Sequence, residues 1–217
     1  MADSATLRRM MVDTQVRPSD VTKFPIIAAM LDVPREAFVP RGREAVAYGE
    51  TSIPLGDGRE ILEPRTLAKL LDAVGVERDE TVLVVGANLG YATALLSRMA
   101  TSVVAVEEDE AMAADAEAAL AALGADNAVV MTGPLAAGLP KAAPFDVILV
   151  EGGVEEVPAA LLDQLRDGGR IAAIFVDGRL GQARVGVRAE GRMGWRYAFD
   201  ADAPVLPGFA RERSFAL

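Results

Sequence analysis

The sequence predicts an α/β protein with a doubly wound, mostly parallel sheet, and three observations carry that expectation. The first is TVLVVGANLGY at residues 81–91, where the apolar run Val82 to Val85 ends on Gly86. A short apolar run with polar sequence before it and a glycine after reads as a strand buried on both faces. Gly86 and Gly90 bracket a turn, and ATALLSRMA behind them has helical spacing, so the chain goes strand, glycine turn, helix. The second is SVVAVEEDE, a further buried strand that ends on the acidic Glu107. The third is the alternation that follows, in which NAVVMTG, FDVILVEGG and RIAAIFVDG read as strands separated by helical stretches. Such alternation implies parallel strands joined by right-handed crossovers.

From the start of the chain, LRRMMVDTQV carries an apolar stripe through Leu7, Met10 and Met11 on a helix stopped near Pro18, and Ser19 is the expected N-cap of the next. VTKFPIIAAMLDV reads as a second helix despite Pro25, and VPREAFV as a short third turn. Residues 46–64 hold Gly49, Pro54, Gly56, Gly58 and Pro64 and read as a lid-like loop, because loops of that length in a compact domain are usually functional. PRTLAKLLDAVGV is an amphipathic helix that turns Leu67, Leu70, Leu71 and Val74 to the sheet. After Glu107 comes an alanine-rich helix with acidic first turns and Gly124 beyond its end, in accord with the helix dipole and C-cap preference. VEEVPAALLDQLRDGG reads as a helix before the fifth strand. The tail, from GQARVGVRAEGRMGWRYAFD to RERSFAL, reads as strands joined without helices, an antiparallel finish to the sheet. The expected organisation is one domain over residues 1–217, with a helical cap and lid in 1–64 and the sheet core in 65–217.

Composition limits what this frame can do. A net charge of −10 and a pI near 4.6 oppose binding to nucleic acid or an anionic membrane surface. Neutral or basic protein segments and small molecules remain as partners. The chain has no cysteine and no histidine, which removes disulfides, thiolate or imidazole catalysis and the usual zinc sites. No metal is expected. No apolar run approaches membrane-spanning length and no signal-peptide core is present, so the expected location is the cytoplasm. Chemistry with this inventory must rest on positioning, carboxylates, hydroxyls and backbone donors. Attack by an already ionised carboxylate on a methyl sulfonium suits it, since catalysis there is mostly alignment in a dry site.

The glycine turn would bring bare backbone N–H groups and a helix N-terminus close to a nucleotide-like cofactor, and a carboxylate about twenty residues later is where such folds accept ribose hydroxyls. A plain βα turn is the alternative for two glycines taken alone. A dinucleotide oxidoreductase and an S-adenosylmethionine enzyme both satisfy the pattern, but the single glycine turn and the antiparallel end favour the second.

The chain resembles the protein-L-isoaspartate O-methyltransferase family in MVDTQVR, VPREAFVP, AYGE followed by IPLGDG, VLVVGANLGYATALLS, VVAVEED, and APFDVILV running into VPAALLDQLRDGGR. The resemblance implies a seven-stranded methyltransferase that binds S-adenosyl-L-methionine and methylates the abnormal carboxylate of isoaspartyl residues in damaged proteins. It implies cofactor contacts from Gly86, Ala87, Asn88, Gly90, Glu107, Glu108, Leu135 and Glu151, and an active-site block at Leu62 and Glu63. The block departs from the family's serine or threonine followed by glutamine. Glu151 replaces a threonine, Val84 an acidic residue, and Pro134 an aspartate. A leucine cannot hydrogen-bond a substrate carboxylate, and Glu63 and Glu151 are expected to repel one, so weak isoaspartyl activity is expected. The alternative is a divergent member that serves as a cofactor-binding or regulatory module, or acts on another acceptor.

Overall fold

The structure, a computed structural model, describes residues 3–178 and 180–211. Its main sheet has seven strands in the order β5-β4-β3-β6-β7-β8-β9. β3 (Thr81–Val85), β4 (Ser102–Glu107), β5 (Ala128–Thr132), β6 (Phe145–Val154) and β7 (Leu165–Asp177) are parallel. β8 (Leu180–Ala189) and β9 (Arg192–Asp200) close the sheet antiparallel, as the helix-free tail implied. The final RERSFAL lies largely outside the described residues. A separate hairpin, β1 (Ile53–Gly56) with β2 (Arg59–Ile61), stands before the sheet.

The pleat sends alternate side chains of β3 to opposite faces. Val82 and Val84 join the larger core under α1 (Ser4–Met11), α2 (Phe24–Asp32), α3 (Pro64–Val74), α4 (Tyr91–Ser97) and α5 (Glu110–Leu123). Leu83 and Val85 join a smaller core under α6 (Ala159–Leu162) and the chain's last described segment, through Leu206 and Phe209. Five helices therefore cover one face, and the other has a thinner cover. Among the described residues no helix is long and apolar enough to cross a membrane.

Several local expectations change for identifiable reasons. Pro25 is compatible with α2 because it sits in the first turn, where its missing N–H would have had no helical partner. Ser19 is not the N-cap of α2, which follows Lys23; its hydroxyl instead donates to the Gln15 carbonyl at 2.8 Å. The helix expected at residues 154–169 shrinks to the single turn of α6. Before it, the Glu155 and Glu156 N–H groups donate to the Phe209 carbonyl, and after it Leu165 already pairs with Phe145 of β6.

Residues 46–64 are not one open loop. IPLGDGREI folds as a hairpin about Asp57 and Gly58, whose φ values of +49° and +70° belong to a two-residue turn of the kind that Asp-Gly favours. That dipeptide was the signal for the hairpin.

Candidate functional site

In the sheet order, β4 and β5 lie to one side of β3 while β6 and β7 lie to the other. The crevice beyond the carboxyl ends of β3 and β6 is therefore the topological switch point, where open α/β sheets bind ligands. Gly86 leaves β3 at φ +80°, Asn88 takes +52° and Gly90 +93°, so the turn is the tight left-handed bend that its glycines imply.

Its backbone donors are not bare. Gly86 and Ala87 donate to the Val106 carbonyl at 3.0 and 3.2 Å, and Gly90 donates to Ala87 at 2.8 Å. Asn88 donates to Glu107 Oε2 at 2.7 Å. The expectation of free N–H groups facing a ligand fails at these four positions. Gly86 and Ala87 carry the β3–β4 pairing past the end of the strand, Gly90 closes the turn on itself, and the Glu107 side chain takes Asn88.

Glu107 ends β4 beside this turn and is fully buried. Its carboxylate is held by Arg59, with Nη1 to Oε1 at 3.0 Å and Nη2 to Oε2 at 2.7 Å. The Glu108 and Asp109 N–H groups donate to Oε1 at 2.8 and 3.1 Å, and Asn88 N to Oε2 completes five donors. A carboxylate has about four lone-pair sites, so Glu107 is saturated from within the chain. Arg59 comes from the first residue of β2 and is itself almost fully buried. Its Nη2 also donates to the Asn88 side-chain oxygen at 2.9 Å, and the Asn88 amide reaches the Glu60 carbonyl at 3.3 Å. From the opposite side comes Leu206, whose Cδ1 is 3.3 Å from where a Cβ on Gly86 would stand. Over Gly86 thus stand one residue of the hairpin, one of the C-terminal segment and the Glu151 carbonyl oxygen, the farthest 3.6 Å from that position.

A second polar group is buried nearby. Arg35 donates to the Ala47 and Leu62 carbonyls at 2.7 Å each and lies 4.6 Å from the centre of the Tyr91 ring, which supports its cation through the π face. Burial still pulls the pKa of Arg35 down and that of the Tyr91 hydroxyl up. Glu151, on β6, accepts no hydrogen bond at either oxygen. Its pKa is pushed up to about 8, chiefly by burial, against the opposing pull of Arg35, Asn88 and Arg59. At neutral pH it is mostly a neutral acid, and the expected repulsion of a substrate carboxylate falls away at this residue.

The active-site block divides between core and surface. The Leu62 side chain is in the larger core, and only its carbonyl meets Arg35. Glu63 Oε1 accepts from the Thr66 hydroxyl at 2.7 Å and from Arg65 at 3.0 Å. A cavity of about 570 Å³ reaches Leu62, Glu63, Ser19, Lys69 and Asp200, but not the turn or Glu107. Of the remaining expected contacts, Ala87 is buried, the Glu108 side chain is exposed, and Leu135 belongs to the smaller core with Leu206. Sequence reasoning brought the turn and Glu107 together correctly. It missed Arg59, Arg35 and Leu206, whose roles arise from contacts 12 or more residues distant in the chain. A charged residue directly after an Asp-Gly hairpin turn was the available signal for Arg59.

The family model for protein-L-isoaspartate(D-aspartate) O-methyltransferase matches residues 8–196. A protein-L-isoaspartate O-methyltransferase of Roseiflexus sp. (strain RS-1) is 41% identical over 189 residues, which cover 87% of this chain and 86% of that protein. One of Methanoregula boonei is 38% identical, covering 85% and 84%. A solved protein-L-isoaspartate O-methyltransferase superposes with a TM-score of 0.82 at 25% identity, over 95% of this chain and 66% of that one. A second, from Plasmodium falciparum and in complex with S-adenosyl-L-homocysteine, shares the fold with a TM-score of 0.78 at 17% identity, over 95% and 99%. The agreement extends from the first helix into the last strand, and on it the chain belongs to the protein-L-isoaspartate(D-aspartate) O-methyltransferase family.

Proposed function

We propose that this chain is an S-adenosylmethionine-dependent carboxyl O-methyltransferase acting on altered aspartyl residues of proteins, and that its cofactor crevice is closed in the packed state. Membership of a family that uses this cofactor supports the activity. The observation that carries the reading is Glu107, at the end of β4 beside the left-handed Gly86–Gly90 turn, where a nucleoside's hydroxyls are met in such folds. As packed, the side chains do not fit the cofactor. Glu107 has no free acceptor, and Arg59 and Leu206 fill the space above Gly86.

A second reading is favoured by that same saturation together with Leu62. In it the chain keeps the family's fold without methyl transfer and works as a binding module. Transfer of labelled methyl groups from S-adenosylmethionine to an isoaspartyl peptide decides between them. Slow transfer above a protein-free blank is expected, and Leu62→Ser with Glu63→Gln is expected to raise it by roughly ten- to a hundredfold, the worth of one restored hydrogen bond to an anion. Because Leu62 is a core residue, the double variant is also expected to lose about 2–5 kcal/mol of stability, so the assay belongs well below its unfolding temperature. No transfer by folded wild-type protein at saturating cofactor would leave the second reading standing.

A further inference from the structure

Arg59 and a ribose ask the same thing of Glu107. A vicinal diol offers two O–H donors, spaced to meet the two oxygens of one carboxylate, and a guanidinium offers two parallel N–H donors with nearly the same spacing. Here the second arrangement is made, with Nη1 on Oε1 at 3.0 Å and Nη2 on Oε2 at 2.7 Å. Arg59 Nη2 also stands 3.6 Å from the position of a Cβ on Gly86, over the turn itself. The contact joins two elements 48 residues apart, so the hairpin is fastened to the sheet at this point. It is also a fastening with slack: Arg59 Nε is buried without a partner, and both oxygens of Glu151 nearby are unpaired. Polar groups left open around a closed ligand crevice are those that a ligand or water would meet once the guanidinium withdraws.

We propose that Arg59 is an internal competitor for the ribose subsite, a latch by which the β1–β2 hairpin keeps adenine nucleosides with a free 2′,3′-diol away from Glu107. The inference rests on the methyltransferase reading and deepens it. Binding requires the guanidinium to leave the carboxylate, so the affinity of the native chain is lowered by whatever the ion pair contributes. Replacing Arg59 with a residue that cannot fork onto the carboxylate removes the competitor and leaves the three backbone donors to Glu107 in place.

Calorimetric titration with S-adenosylhomocysteine tests this on the full chain. Wild type is expected to bind weakly, and Arg59→Gln at least about tenfold more tightly, with 2′,3′-dideoxyadenosine failing to compete for the site that the variant opens. Should Arg59→Gln not fold, as judged by circular dichroism, wild type supplies an independent readout. Phenylglyoxal modification located by mass spectrometry is expected to spare Arg59 in the free protein and to reach it at saturating S-adenosylhomocysteine, while Arg35 stays protected in both states. Measurable binding by wild type, at any affinity, that Arg59→Gln leaves equal or weaker, or an Arg59 that ligand does not uncover, overturns the latch and leaves the methyltransferase reading intact. No binding at about 1 mM by either folded protein overturns the cofactor reading, and the latch with it.

Discussion

Glu151 is a buried acid with no hydrogen-bond partner, in a chain that has neither histidine nor cysteine. Few other side chains change charge between pH 5 and 8, Glu60 with its raised pKa being another, so this proton weighs in that window. Its pKa is raised from 4.5 to about 8 by burial. Between those values the folded chain holds a proton that the unfolded chain has lost. Stability contributed by the neutral form is therefore complete below pH 4.5, falls as pH rises through the window, by at most about tenfold in the folding constant per pH unit, and levels off above 8. Glu151→Gln fixes the neutral state. The variant's urea midpoint is expected to match wild type near pH 5 and to exceed it increasingly up to pH 8; parallel profiles would mean that the carboxyl is ionised or solvated. Glu107 was legible in the sequence, because an acidic residue at the end of a buried strand has few uses. The identity of its partner was not, since nothing local to residue 107 specifies an arginine 48 positions earlier.

At the scale of elements, the segment after β9 straps the crevice from the second face. Gly153 donates to the Pro204 carbonyl at 2.8 Å, Leu206 donates back to Gly153 at 2.9 Å, and Leu206 then lies against Gly86 and Gly152. The approach needs a bare backbone at position 153: a Cβ there would stand 2.5 Å from the Ala203 carbonyl oxygen. Gly153→Ala is thus expected to lift the strap. A loss of about 1–3 kcal/mol in chemical denaturation should accompany faster amide exchange at residues 203–209, with the exchange of β3 and β4 unchanged. Unaltered exchange in the strap would show that the backbone yields elsewhere. The sequence announced Gly86 and Gly90 through their place after a strand, whereas Gly152 and Gly153 looked like an ordinary strand end. Their close contact is with a segment some 50 residues later, and glycines of that kind become legible only when the fold brings the second backbone alongside.

For the whole molecule, the doubly wound, mostly parallel sheet was readable because strands and helices alternate along the chain and right-handed crossovers leave few ways to arrange the units. What was not readable was the filling of the crevice, which depends on how the hairpin and the C-terminal strap meet over a turn that neither adjoins in sequence. Net charge is the other property carried by the whole chain, and it bears on which protein segments the chain meets. With −10 overall, the cavity of about 570 Å³ next to the Leu62–Glu63 block has Asp20, Glu60, Glu63, Asp200 and Asp202 around it, against Arg65 and Lys69. Burial and the neighbouring Asp202 and Glu63 raise the pKa of Glu60, so the carboxylates are crowded enough to feel one another. A potential of this sign attracts cationic segments and falls off over a Debye length of about 10 Å at 0.1 M salt. Isoaspartyl peptides flanked by lysines are accordingly expected to show a KM several-fold below that of the same peptides flanked by glutamates at about 20 mM salt, with the ratio collapsing by about 0.5 M. Where turnover is too slow to give a KM, fluorescence anisotropy of labelled peptides reads the same preference. A ratio near one at low salt, or one that survives high salt, would show that peptides approach by another face or are chosen by shape instead of charge.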